Sequence, residues 1–230
     1  VVDFHKSCIE AQGRYLPLSG RPIYYRQCEK CFFTFTDAFD HWSAADFHVH
    51  IYNGSYIDVD PDLTEVRPAG NARLVGATFQ TYQSTLRILD YGGGTGLFAE
   101  RLRTLGFSAV TYDPFLSDNE LPTECFDLIT CFEVMEHVPF PAEIIASIVR
   151  FLKPEGVVLF STVLLPPSFS KTGLQWWYAS PRNGHVSLYS QQALARLFQT
   201  HGMKVASFNE GLHIAYSTVP AFASHLHLPA

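Results

Sequence analysis

From Ala69 onward the chain alternates between two hydrophobic rhythms. "AGNARLVGATFQ" has helical spacing, and "LRILDY" after it is a short apolar strand. In "LFAERLRTLG", Leu97, Phe98, Leu102 and Leu105 fall on one helical face, and Gly106 stands where a helix ends. "SAVTYD" and "FDLITCF" read as further strands. "PAEIIASIVRFL" puts Ile144, Ile145, Ile148, Val149 and Leu152 on one stripe, with Pro141 in a favourable first-turn position. "GVVLFSTVL" is apolar at consecutive positions, as a strand covered on both faces must be. Ser190 is expected to cap "QQALARLFQTHG", and "KVASFN" and "HIAYSTV" supply two last strands. Strands alternating with helices predict a doubly wound, mostly parallel α/β sheet.

Residues 1–60 show no sustained period and are rich in aromatics, histidine and cysteine. They predict a small, loop-rich module ahead of a domain spanning 61–230, with Pro166 to Tyr189 too long for an ordinary connection. A net charge of -6 without any lysine or arginine run disfavours a nucleic-acid partner. The longest apolar runs are far too short to cross a bilayer, and "VVDFHKSC" has no secretory pattern. Five cysteines, an odd number, fit reduced thiols or metal ligands and a cytoplasmic protein. Nothing in the pattern addresses oligomeric state.

His5-x-x-Cys8 and Cys28-x-x-Cys31, nineteen residues apart, have the spacing of a zinc site. The alternative is coincidental cysteines in a degenerate ribbon. Cys125 and Cys131 read as plain buried thiols.

"RILDYGGGTGLFAERL" places four glycines in five positions between a strand and a helix. A turn so bare lets a ligand approach the backbone closely. Asp90, Gly92, Gly94 and Gly96 form the turn, and Asp113, ending the next strand, stands where a carboxylate can accept from both hydroxyls of a ribose. Gly94-x-Gly96-x-x-Ala99 also satisfies a nicotinamide fingerprint, but that reading leaves Asp90 without a role.

"ILDYGGGTGLFAERL", "VTYDPF" and "FDLITCFEVMEHVPFP…IVRFLKPEGVVLFST", in this order over about residues 86–165, resemble a class I S-adenosylmethionine-dependent methyltransferase. The resemblance implies that the Gly92 to Gly96 loop holds the methionine moiety of the cofactor and Asp113 its ribose. It also implies that Phe132 and Glu133 lie beside the methyl group. Only twelve residues separate Asp113 from Phe126, too few for the helix and strand the family usually fits there. Six strands are therefore expected, with adenine contacts from Pro114, Phe115 or the 117–122 loop.

"EVMEHV" puts Glu133, Glu136 and His137 just past a strand, and His185 follows in "WWYASPRNGHVSLYS". The arrangement resembles the metal-binding set of small-RNA 2′-O-methyltransferases, which implies a divalent ion such as magnesium on Glu133, Glu136, His137 and His185. "EVMEHVP" also resembles the O-methyltransferases of ubiquinone biosynthesis, and a metal-free site is the alternative. His137 and His185 are the candidate general bases, with Glu133 beside them. The 166–189 segment, with Trp176, Trp177 and Tyr178, is expected to form a lid carrying the acceptor pocket. The expected activity is methyl transfer to an oxygen or carbon of a small molecule. The ubiquinone-like turn favours oxygen, and a zinc ribbon, as in sugar and natural-product C-methyltransferases, favours carbon. A non-catalytic nucleoside-binding protein on the same fold is the other reading.

Overall fold

Strand β4, Leu152–Ser161, carries a run of fully covered residues at Val157, Val158, Leu159 and Phe160. Strand pleating sends alternate side chains to opposite faces, so this run requires a core on each side of the sheet. In the computed structural model, which describes residues 1–116 and 120–229, both cores are present.

The sheet contains β1 (Arg87–Tyr91), β2 (Ser108–Tyr112), β3 (Phe126–Cys131), β4, β5 (Lys204–Ser207) and β6 (Leu212–Tyr216). Their order is β5-β6-β4-β3-β1-β2. The pairs β1–β2, β1–β3 and β3–β4 are parallel, and β6 runs antiparallel to both β4 and β5. β2 is the edge, and the described part of 114–125 adds neither helix nor strand beyond it. The six-strand sheet agrees with the short connection read from the sequence.

Helices α2 (Val66–Thr78) and α3 (Leu97–Thr104) cover one face, and α4 (Pro141–Arg150) and α5 (Gln191–Gln199) the other. One core joins Val157 and Leu159 to Ile88, Leu128, Val75, Phe98 and Leu102. The other joins Val158 and Phe160 to Leu89, Ile129, Ile145, Ile148, Leu194 and Phe198. Ser190 caps α5 as expected, its hydroxyl accepting from Ala193 N at 3.0 Å. Among the described residues no helix is long and apolar enough to cross a membrane.

The first sixty residues contain four two-residue strands and one helix, α1 (Ala44–His50), which hydrophobic periodicity did not disclose. Its signal is local: Ser43 and Asp46 form a reciprocal capping box. Phe4, Ile9, Ile23, Phe39, Phe47, Ile51 and Val59 gather into a third core, which also takes Val186 from the 166–189 segment. The two segments are stitched by polar bonds as well. Arg182 N donates to Lys6 O at 3.1 Å, Cys8 N to Asn183 Oδ1 at 2.8 Å, and Thr34–Phe35 pairs with Ser187–Leu188. Arg182, only 5% exposed, donates to Ile51 O and Ser55 Oγ.

The four residues expected to share a zinc ion do not meet. His5 Nδ1 bonds Pro17 O, and Cys8 lies 4.0 Å from His185 Nδ1, whereas Cys28 and Cys31 sit together on a separate hairpin turn. The N-terminal core is held by aromatic packing, with Trp42 edge-on to Phe39 at 4.6 Å and Arg21 5.3 Å over the Trp42 ring. Cys131 is buried as expected, but Cys125 is exposed, because it precedes β3 rather than entering it.

Replacing Ser190 by alanine removes the α5 cap together with the bond its hydroxyl donates to Cys31 O. The expected loss is about 1 kcal/mol, a fall in melting temperature of roughly 2 to 4 °C, read by thermal denaturation.

Candidate active site

Four parallel strands, β1 to β4, end along one edge and bring Asp90, Asp113, Glu133 and Ser161 to the same end of the sheet. There the glycine turn follows β1. Asp90 is 3% exposed, and its Oδ1 accepts from Thr130 Oγ1 at 3.3 Å. A Cβ at Gly93 would stand 1.9 Å from Asp90 Oδ2, so the carboxylate needs a glycine there. Burial pushes the Asp90 carboxyl up to about 7.

Gly94, at φ +53°, has no atom within 4 Å of where its Cβ would be, so the backbone opens onto free space. That space is a cleft of about 320 Å³, lined by Asp90, Gly92, Gly94, Arg67, Phe132 and Glu133 among others. Asp113 Oδ2 accepts from Gly94 N at 2.9 Å and its Oδ1 from Phe115 N at 2.9 Å. The carboxylate thus lies against the turn, at the end of β2 where the sequence placed it. Gly96 starts α3. Pro114 and Phe115 are exposed just beyond Asp113. Residues 117–119 of the expected adenine loop lie outside the described residues. Phe132 packs edge-on against Phe98 at 5.5 Å.

Glu133 occupies a left-handed conformation at φ +56°, unusual for a residue with a side chain and costly unless its surroundings impose it. Ser161 imposes it from two sides: its Oγ accepts from Glu133 N and donates to Glu133 Oε1, both at 2.8 Å. The half-buried carboxylate also faces Arg67 Nη1 at 3.7 Å. Burial, and then the neighbouring Glu136, raise the Glu133 carboxyl. Arg67 itself forms a bidentate pair with Asp60, at 2.6 and 3.1 Å.

Beyond Glu133 the chain makes a single tight turn, Met135–His137. Glu136 is fully buried, accepts from Tyr178 OH at 2.5 Å, and is pushed up to about 7 by burial. His185 Nδ1 lies 2.8 Å from Tyr178 O. A carbonyl only accepts, so Nδ1 carries the proton and Nε2 keeps the lone pair. His137 and His185 stand with ring centroids 5.0 Å apart. Burial lowers both imidazoles, His185 far below the usual range, so both are neutral near pH 7. Donor atoms of Glu136, His137 and His185 lie within 4.8 Å of one another. Glu133 is not in this group, so three of the four residues expected to hold a divalent ion converge and the fourth turns toward Ser161 and Arg67.

Sequence reasoning missed Arg67, Asp60 and Ser161, and read Tyr178 as a lid aromatic without its bond to Glu136. Arg67 lies in the first turn of α2, ahead of where the helical pattern was read. Ser161 closes β4 and gives no motif.

The fold and the strand-edge position of this cleft are those of a methyltransferase domain. A family described as a methyltransferase domain matches residues 63–207, well over half of the chain, and the chain belongs to that family. Ubiquinone biosynthesis O-methyltransferase from Neisseria meningitidis is 32% identical over 105 residues, covering 34% of this chain and 44% of that protein. The enzyme of the same name from Methylococcus capsulatus is 29% identical over 133 residues, covering 46% and 55%. The chain thus spans about half the length of the curated relatives it matches. An O-methyltransferase family protein from Burkholderia thailandensis shares the fold at a TM-score of 0.56 and 12% identity, over 78% of this chain and 64% of that one.

The raised Asp90 carboxyl makes stability depend on pH in a direction opposite to an ordinary paired carboxylate. The folded state keeps a proton up to about pH 7, whereas the unfolded chain releases it near the usual aspartate value of about 3.9. This contribution is full below that lower value and fades as pH rises through 7, by up to about 1.4 kcal/mol per pH unit. Asp90→Asn removes it. The melting temperature of the variant minus that of the parent is therefore expected to climb between pH 5 and 8. A constant difference would show that Asp90 ionises normally.

Proposed function

We propose that the chain transfers the methyl group of S-adenosylmethionine to an oxygen or carbon of a small-molecule acceptor. One observation carries this reading: Glu133 lines the glycine-turn cleft while the residues immediately after it enter the buried Glu136, His137 and His185 group. A cofactor site and a proton-accepting site thus meet at one peptide.

The bound cofactor supplies an electrophilic methyl group on a sulfonium. The chain's part is mainly to position the reactants and exclude water. The open backbone at Gly92 to Gly94 suits the methionine end, with Arg67 facing its carboxylate. Asp113 is assigned to the ribose hydroxyls, Phe132 and Glu133 to the wall beside the methyl group, and Pro114 and Phe115 to the adenine. The orphaned space at Gly94 and the buried Asp90 carboxyl beneath the turn fit this assignment.

Oxygen is the better-supported acceptor atom. A hydroxyl has a proton to lose, and the unprotonated nitrogen of a neutral imidazole is suited to take it. His137 Nδ1 is buried beside Gly184 and bonds no side chain among the described residues. The curated relatives described above are O-methyltransferases by name. Glu136, His137 and His185 are also a sound donor set for a divalent ion, which when bound would lower the pKa of an acceptor hydroxyl. The 166–189 segment and the N-terminal sixty residues are assigned to a shared acceptor-side cover. Trp177, 40% exposed on that segment, is the aromatic surface it offers.

Calorimetric titration tests the cofactor assignment. S-adenosylmethionine and S-adenosylhomocysteine are expected to bind and NAD not to. Gly94→Ala, whose new methyl meets no protein atom but projects into the cleft, is expected to stay folded and weaken both by at least tenfold. Binding of NAD alone would overturn the assignment.

With an acceptor in hand, His137→Asn is expected to lower kcat by about 10² to 10⁴ without weakening cofactor binding. Activity that survives dialysis against EDTA assigns the proton to imidazole. Activity lost and restored by a divalent ion would show that Glu136, His137 and His185 hold a metal that acidifies the acceptor hydroxyl.

A further inference from the structure

The one cysteine motif that the methyl-transfer site leaves unused is Cys28-Glu29-Lys30-Cys31. It forms the turn of a hairpin whose strands are Arg26–Gln27 and Thr34–Phe35. Phe32 N donates to Cys28 O and Cys28 N to Phe33 O, each at 2.8 Å, so the turn is closed at both levels. With only two residues between them on this closed turn, the cysteines have a separation that a disulfide can span. Phe32 completes it in a left-handed conformation at φ +59°, with half its surface exposed.

The two sulfurs are not equivalent. The Cys28 thiol is lowered from its ordinary value, first by the backbone N–H groups of Cys31 and Lys30, then by the Cys31 thiol, with Arg196 of α5 adding positive charge. Cys31 is anchored from behind: its carbonyl accepts from Ser190 Oγ at 2.5 Å, and its side chain packs with Phe33 against the core under α5. Both cysteines are only partly buried, whereas Cys131 is sealed in β3. A partly exposed sulfur in an electropositive setting, with a second thiol in contact, is the arrangement of a reactive dithiol.

We propose that Cys28 and Cys31 form a redox-active dithiol that a small-molecule disulfide of the glutathione type converts to an intramolecular disulfide. The Cys28 thiolate attacks one sulfur of the small disulfide, forming a mixed disulfide and releasing the first small thiol. The Cys31 thiolate then attacks the Cys28 sulfur, releasing the second. The protein gives up two electrons and two protons, and the small disulfide accepts them to become two thiols.

The test uses the full chain in graded mixtures of glutathione and glutathione disulfide, followed by alkylation and peptide mass spectrometry. The peptide containing both cysteines is expected to carry two alkyl groups from reducing mixtures and none from oxidising ones, where it lies two hydrogens below the unalkylated dithiol, and to take up both again after reduction. Cys31→Ser should instead accumulate a glutathione adduct on Cys28, and Cys28→Ser should show no internal bridge. Cys125, the exposed control, should stay available to alkylation once glutathione is removed. Two outcomes would overturn the proposal: Cys28 and Cys31 alkylated at every ratio at the rate of Cys125, or one zinc ion per chain that shields both thiols until a chelator removes it. Neither readout involves methyl transfer, so this proposal and the methyltransferase reading fail separately.

Discussion

Parallel pairing of β1, β3 and β4 is the constraint on which the site depends. Parallel strands end on the same edge, and connections between them must cross a face of the sheet. Here that edge collects the residue that closes each strand: Asp90 near the end of β1, Glu133 just past β3, and Ser161 at the end of β4. The register that pairs Cys131 with Phe160 also puts Glu133 within reach of Ser161, which holds its strained backbone. The two cores enforce that register, because a slip of one residue would move Val157 and Leu159 into the space shaped for Val158 and Phe160.

The part of the site beyond Glu133 is built by a different means. The 166–189 segment is made of turns and short helical stretches that bond largely within themselves. It is fastened from outside as well: Arg182 and Asn183 bond the backbone of the first sixty residues, and Val186 completes their aromatic core. The same wrapping excludes water from His185 and Tyr178. That exclusion keeps the imidazoles neutral and raises Glu136, since each group avoids the charged form that burial disfavours. The N-terminal segment therefore sets the electrostatics of the candidate active site without contributing its central residues.

The order of strands and helices from residue 66 onward was legible because each helix presents one stripe and each central strand is apolar throughout. The six-strand sheet of the described residues was legible too, from the short connection after Asp113 set against the family the sequence resembles. The glycine turn and Asp113 were readable because their spacing is local. What the sequence concealed is what depends on distant segments meeting. His5-x-x-Cys8 and Cys28-x-x-Cys31 have matched spacing, but spacing does not report direction, and Cys8 turns toward His185. Arg67 and Ser161 gave no motif, since their importance comes from Asp60 and Glu133 standing opposite them.

Glu133 and Glu136 show how three residues of separation can divide roles. On a regular helix they would share a face, and both would point at one ion. The left-handed backbone at Glu133 breaks that relation before the tight turn begins. Glu133 keeps its carboxylate at the rim of the cleft, opposite Arg67, while Glu136 points inward to Tyr178. Because Tyr178 bonds Glu136 through its hydroxyl and His185 through its carbonyl, one residue fixes both the buried acid and the tautomer of the buried base. The strained peptide at Glu133 thus separates the rim of the cleft from the buried Glu136, His137 and His185 group, and Ser161, by holding that peptide, keeps the two apart.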